Sequence, residues 1–170
     1  MKANYLSKRE SSEILTRLKT LKWGEALQKI RIKKNVLRIE EEDIVLYKIS
    51  KLLICERGRV LFPTLHEEYN QEILTLLPSL IVDMGAVPHI AKGADVMRPG
   101  IRKFEGEFRK GDLVAVRDEK NLKAIALALT LEDLEKCREM KRGKVAENIH
   151  HVNDRIWKLV QKIKHLLDRD

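Results

Sequence analysis

Long apolar runs are missing from this chain of 170 residues. No stretch approaches the roughly 18–20 apolar residues that a membrane-spanning helix requires, and the N-terminus lacks the apolar core of a secretory signal. Cysteine is scarce: Cys55 and Cys137 stand far apart, each in an otherwise regular segment. Two such thiols make neither a disulfide framework nor a zinc site, so both are expected to be reduced packing residues of a cytoplasmic protein. Aromatics amount to 5%, which argues against a surface built mainly on base stacking. No segment is low-complexity, and no repeat of fixed period occurs.

Catalytic signatures are missing too. The chain has no G-x-S-x-G, no H-E-x-x-H, no P-loop and no dinucleotide fingerprint. The pair His150-His151 does not suggest a metal site, because adjacent strand residues point to opposite faces. His150 is expected to hydrogen-bond inside the fold and His151 to face solvent. The acidic run Glu40-Glu41-Glu42-Asp43 reads as a solvated turn. The expectation is a protein that is not an enzyme, with no cofactor and no metal.

What is present is a core-forming share of hydrophobic residues, 44%, and a charged share of 35% with both signs interleaved. The length suits one large domain or two small ones. The net charge of +8 is concentrated. Residues 1–39 hold eleven Lys/Arg against three acids, and the remaining 131 residues balance 23 against 23. A concentrated positive field favours a polyanion, since neutralising phosphates releases counterions. The basic positions are not interleaved with exposed Trp or Phe, so no membrane partner is expected.

Ser7-Lys8-Arg9-Glu10 has the form of a capping box, and Ile14, Leu15, Leu18 and Leu21 follow at helical spacing until Trp23-Gly24. From Val36 the period shortens. Short strands are expected over 36–39, 43–47, 52–55 and 60–62, with a hairpin turn at Glu56-Arg57-Gly58-Arg59. Residues 66–77 return to a helical pattern that stops at Pro78, the candidate domain boundary. Beyond it, residues 80–83, the segment leading on from Gly100-Ile101, and residues 113–116, 124–129 and 145–151 read as strands. One or two helical turns fit 85–92, a loop fits 93–101, and a short helix opening at Thr130-Leu131-Glu132-Asp133 would be closed by Gly143. A basic amphipathic helix follows Asn153.

Four ordered strings carry a family likeness: VDMGAVPHIAKGADVMRPGI (82–101), GDLVAVRD (111–118), AIALAL (124–129) and AENIHHVNDRIW (146–157). Together they resemble the PUA domain, a small RNA-binding barrel. Leu61-Phe62-Pro63-Thr64-Leu65, then Leu77-Pro78 and Val82-Asp83, are similar to the junction in the malignant-T-cell-amplified-sequence and ligatin-type translation factors, as is the ending through Asn148, Asp154 and Trp157. The resemblance spans roughly residues 36–157 and implies an α+β fold: a small N-terminal α/β domain (1–77), a PUA-type pseudo-barrel (78–157) and a C-terminal helical extension (158–170). It implies structured RNA, ribosomal or transfer, and the small ribosomal subunit as partners, in initiation, reinitiation or recycling. The eukaryotic members work with an SUI1-type domain, which here would be a separate protein. A monomer is expected. The alternative is a non-catalytic RNA-binding accessory of a tRNA or rRNA modification enzyme.

Glycines 85, 93 and 100 suit backbone that takes positive φ and lets phosphate approach its N–H groups. In the family, the loop around Gly93-Ala94 and its preceding helix lie on the RNA face. Lys92, Gly93, Ala94 and Arg98 are therefore the expected contacts, with Arg102 and Lys103 extending the surface and Lys33 and Lys34 adding long-range attraction. Asp83 and Asp95 are expected to cap turns. Met84, Met97 and Trp157 are expected to fill the core.

Overall fold

The chain begins on a strand that its hydrophobic pattern does not announce. All four residues of β1 (Lys2–Tyr5) are exposed, and the strand forms because it pairs antiparallel with β2 (Leu37–Glu41), Ala3 opposite Ile39. This computed structural model describes residues 1–29 and 35–169, so Lys33 and Lys34 lie outside the described residues. Its contacts divide the chain into two units, Met1–Thr75 with the chain end from His165, and Leu76–Lys164.

In the first unit α1 (Lys8–Lys19) opens on the expected capping box. Ser7 Oγ accepts from the Glu10 amide at 3.1 Å, and the Ser7 amide donates to the Glu10 carboxylate at 2.9 Å. Ile14 and Leu18 from its apolar stripe are buried. Gly24 follows in a 3-10 helix (Lys22–Lys29), where a Cβ would lie 2.0 Å from the Leu18 carbonyl oxygen, so only glycine fits. Strands β2, β3 (Ile44–Ile49), β4 (Leu52–Arg57) and β5 (Val60–Pro63) pair consecutively, giving a five-stranded antiparallel sheet in sequence order. Two-residue turns join β2 to β5, and the first residue of each (Glu42, Ser50, Gly58) takes positive φ, which suits the twist of the flanking strands. Helix α2 (Glu67–Leu76) completes the unit. Its Ile73 joins Leu18, Leu27, Val36, Ile49 and Ile54 in one apolar core.

The second unit is a six-stranded sheet curled into a half-closed barrel, with β6 (Ser79–Val82), α3 (Val87–Ile90), β7 (Val96–Met97), β8 (Ile101–Glu105), β9 (Leu113–Asp118), β10 (Ala124–Thr130), α4 (Leu134–Glu139) and β11 (Lys144–His151). The strand order is β7-β11-β10-β9-β6-β8, antiparallel throughout except for the parallel pair β6–β9. Leu80, Val82, Val114, Val116, Ala126 and Ala128 face a core shared with Ile90, Phe108 and Leu134. The amphipathic α5 (Arg155–Leu167) ends the described chain. The architecture is α+β, as the resemblance implies.

Three local expectations are corrected. Val96–Met97, placed in a loop from its glycine- and proline-rich flanks, pairs with β11 as β7. Helix α4 starts at Leu134, with Asp133 rather than Thr130 at the N-cap position, and the Asp133 carboxylate makes no cap bond but accepts from the Lys110 amide at 2.8 Å. Met84 and Met97 are 43% and 47% exposed, so neither fills the core.

Candidate nucleic-acid interface

Helix α3 is one turn long and runs straight into a tight loop. The Lys92 and Ala94 amides donate to the His89 carbonyl at 3.1 and 3.0 Å, and the Gly93 amide donates to the Ile90 carbonyl at 3.0 Å. Gly93 sits at φ +101°, where a side chain is strained. Gly85 and Gly100 do not share that conformation; at Gly100 a Cβ would lie 3.1 Å from the Ala86 Cβ, so glycine serves close approach there. These bonds correct one expectation. The loop's N–H groups are spent on its own carbonyls, and what it presents outward is His89, Lys92, Gly93 and Ala94, all exposed.

A residue 50 positions or more downstream pins this loop. Asn148 of β11 donates through Nδ2 to the Ile90 and Ala94 carbonyls at 3.1 and 3.0 Å, and through its amide to Asp95 Oδ1 at 2.9 Å. A bulge makes this possible: Leu127 and Ala128 of β10 face His150 and Asn148, leaving Ile149 as the extra residue. Bulges re-aim side chains in this way. Asp95 also holds Lys144 Nζ at 2.8 Å. Lys144, and then the Asn148 amide, keep its carboxyl below the usual range against the opposing effect of burial. Asp83 caps a turn as expected, accepting from the Ala86 amide at 2.8 Å, whereas Asp95 clamps across to β11.

Arg98 has a structural post. Its Nε donates to the Cys137 carbonyl at 2.8 Å and Nη1 to the Ile101 carbonyl at 3.2 Å, and the guanidinium lies 5.0 Å from the Phe104 ring centroid. The Arg98 amide also donates to the Gly143 carbonyl at 2.8 Å. Since β7 and β8 are the edge strands and Arg98–Gly100 joins them, this side chain fastens the seam of the curled sheet. Arg102 is 64% exposed, 3.6 Å from Glu119 and 3.9 Å from Asp83; Lys103 is 66% exposed and 3.2 Å from Glu105. The β6–β8 register shifts at this point, with Ile81 opposite Lys103 and Val82 opposite Ile101, so Arg102 is a bulge residue and both cations are exposed on the edge strand. Lys141 and Arg142, which no motif in the sequence singles out, are exposed on the turn before β11, next to the Gly143 carbonyl that Arg98 engages.

The two histidines part, His150 as expected and His151 not. His150 is fully buried, with Nδ1 2.7 Å from Asp154 Oδ2. Asp154 also accepts from the His151 amide at 3.0 Å and the Trp157 amide at 2.8 Å, the latter opening α5. Burial pushes its carboxyl up, but the His150 ring and these amides outweigh it and hold the group below the usual range. His151 is half-buried rather than solvent-facing, with Nδ1 2.9 Å from the Val152 carbonyl. Among the described residues no three His, Cys, Asp or Glu are grouped to hold a metal ion, and no helix is long and apolar enough to cross a membrane.

Comparison with known proteins supplies the relatives. Residues 78–152 match the PUA domain. An uncharacterized protein of Methanocaldococcus jannaschii is 30% identical over 162 residues, 92% of this chain and 95% of that protein. Translation machinery-associated protein 20 of Saccharomyces cerevisiae is 26% identical over 124 residues, 69% of this chain and 67% of that one. The crystal structure of a hypothetical protein from Pyrococcus horikoshii superposes with a TM-score of 0.75 at 33% identity, covering 93% of this chain and 99% of that structure.

Proposed function

The chain belongs to the PUA-domain proteins of the malignant-T-cell-amplified-sequence and translation machinery-associated protein 20 family, and on that premise we propose that it is a non-catalytic RNA-binding protein of the translation apparatus, working at the small ribosomal subunit in the cytoplasm. One observation carries the reading: the segment His89–Asp95 exposes His89, Lys92, Gly93 and Ala94, yet is held by Asn148 and by its own amides. A surface of fixed shape with Lys92 on it can meet a folded RNA by shape and backbone contact, the mode that structured RNA favours. Lys92, Gly93 and Ala94 form its centre, with Lys141 and Arg142 as further cations. Arg98 supports this surface from within. Arg102 and Lys103 contribute charge from the far edge strand.

The test is sucrose-gradient fractionation of a cell extract. The protein is expected to travel with small subunits at low salt and to be released as salt rises, because phosphate contacts return counterions. Sedimentation only at the top of the gradient at every ionic strength would overturn the ribosomal reading, and co-purification with a modification enzyme in those fractions would put the accessory role in its place.

A further inference from the structure

We propose that His151 is a hydrogen-bond acceptor for bound RNA, accepting a hydrogen bond from a ribose 2′-hydroxyl or a base N–H beside Gly93. The inference rests on the RNA-binding reading above and adds to it a residue and the sense of its contact. His151 closes β11 on a rigid footing: its amide donates to Asp154 Oδ2, and it pairs across the sheet with Ala126. Its Nδ1 lies 2.9 Å from the Val152 carbonyl. A carbonyl only accepts, so Nδ1 carries the ring proton, and in the neutral imidazole the free lone pair belongs to Nε2.

That lone pair is uncovered because residue 93 is glycine. A Cβ built on Gly93 would lie 3.3 Å from Nε2 and 3.6 Å from Cδ2. Any side chain there would lie over the nitrogen. Gly93 is thus required twice, once by its φ of +101° and once to leave Nε2 open toward the exposed loop. The contact has a definite sense. Phosphate oxygens are acceptors and cannot pair with a bare imidazole nitrogen; the donors that RNA offers are its 2′-hydroxyls and its base amino and imino groups. Lys92, on the same loop, suits phosphate. Charge and a directional acceptor then stand side by side, the second able to tell RNA from DNA where it meets a 2′-hydroxyl.

Two conservative variants separate this role from a structural one. In His151→Asn the amide nitrogen can replace Nδ1 and keep the bond to Val152, while Nε2 is lost. In His151→Gln an oxygen can return near the Nε2 position. Binding of the full chain to a transfer RNA transcript is measured at about pH 8, above the ordinary imidazole range, with the transcript made from ribonucleotides or from 2′-fluoro nucleotides. With melting curves unchanged, His151→Asn is expected to weaken binding about 5-fold, the value of one neutral hydrogen bond, and His151→Gln to restore most of it. If the donor is a 2′-hydroxyl, the fluoro transcript binds wild type about 5-fold more weakly and erases the difference between wild type and His151→Asn. If it is a base N–H, that difference persists. Equal affinity of wild type and His151→Asn, or a loss larger in His151→Gln than in His151→Asn, would overturn the proposal while leaving RNA binding intact. Failure of wild type to bind any RNA would instead sink the RNA reading on which it rests.

Discussion

The two units handle their buried polar groups in opposite ways. The first gathers them into one knot around Asn70. The pairing of β5 ends with Pro63 opposite Ile54, one residue short of Leu53 and two short of Leu52, where β4 begins. The Thr64 amide still donates to the Leu53 carbonyl at 3.1 Å, and the Asn70 carboxamide completes this edge: Oδ1 accepts from the Leu53 amide at 3.1 Å and Nδ2 donates to the Leu53 carbonyl at 2.7 Å. The same nitrogen reaches the Thr64 carbonyl and hydroxyl, and the hydroxyl meets His66 Nδ1 at 3.0 Å. The second unit spreads its polar residues along the rims, each tying down a loop. Asp118 accepts from the Asn121 and Lys123 amides, Asn148 holds the 90–95 loop, Asp154 opens α5 and Arg98 fastens the seam. One arrangement makes a frame. The other makes loops that keep their shape in solvent, as a recognition surface must.

Charge, read along the chain, sets the N-terminal segment apart, and folding reduces the contrast. Residues 40–75 carry four Lys/Arg and eight Asp/Glu, and they share a unit with residues 1–39. Arg17 pairs with Glu56 and Arg38 with Glu40, so residues 1–75 together sum to +4. Residues 76–164 hold 18 Lys/Arg and 13 Asp/Glu, a net +5. The positive field therefore belongs to both units, not only to the basic N-terminal segment.

The hardest blow to this contrast is Asn70→Ala. It strands the buried Leu53 amide and removes a donor from the Thr64 carbonyl, while the Leu53 carbonyl keeps the Thr64 amide, and at about 1–3 kcal/mol for each unsatisfied group the loss should reach about 2–6 kcal/mol. Chemical denaturation should show it, with faster amide exchange at Leu53, while discrimination between structured and unstructured RNA stays unchanged in the folded fraction. Altered discrimination would mean that the frame takes part in recognition. Asn148→Ala is the counterpart in the second unit and should cost less, about 1–2 kcal/mol, since water can reach the Ala94 carbonyl. Its signature is local: amides of Gly93 and Ala94 should exchange faster, and affinity for structured RNA should fall more than for an unstructured strand. Equal losses on both RNAs would show that loop rigidity has no part in recognition.

Much of the frame was legible from residues near one another in the chain. The capping box at Ser7, the helical spacing of Ile14, Leu15 and Leu18 and the turn at Glu56–Arg59 are local signals, and local physics decides them. β1 was illegible because a strand exposed at all four positions has no apolar alternation to read, and only its distant partner β2 makes it a strand. The candidate loop was found by likeness, and its conformation followed from glycine at 93. The residues that hold it were not visible. Asn148 acts across 54 positions on Ala94 and Arg98 across 39 on Cys137; nothing near either residue in sequence announces such a bond. For the same reason Arg98 read only as an RNA contact, although its guanidinium bonds the Cys137 and Ile101 carbonyls.

The smallest effect on the fold is expected from charge reversal of Lys33 and Lys34, and it sharpens the comparison from the other side. Both belong to the basic segment 1–39, which holds eleven Lys/Arg against three acids. If they serve long-range attraction, Lys33→Glu/Lys34→Glu should weaken structured and unstructured RNA by similar factors. It should also flatten the dependence of log affinity on log salt by about one unit for each phosphate that is no longer neutralised. Asn148→Ala should do the reverse, changing the preference between RNAs while leaving the salt slope as it was, because it removes no charge. The two variants measured side by side over a salt series thus separate attraction from recognition. A preference for structured RNA that vanished with Lys33 and Lys34 would move recognition into the first unit and leave the clamped loop without its proposed role.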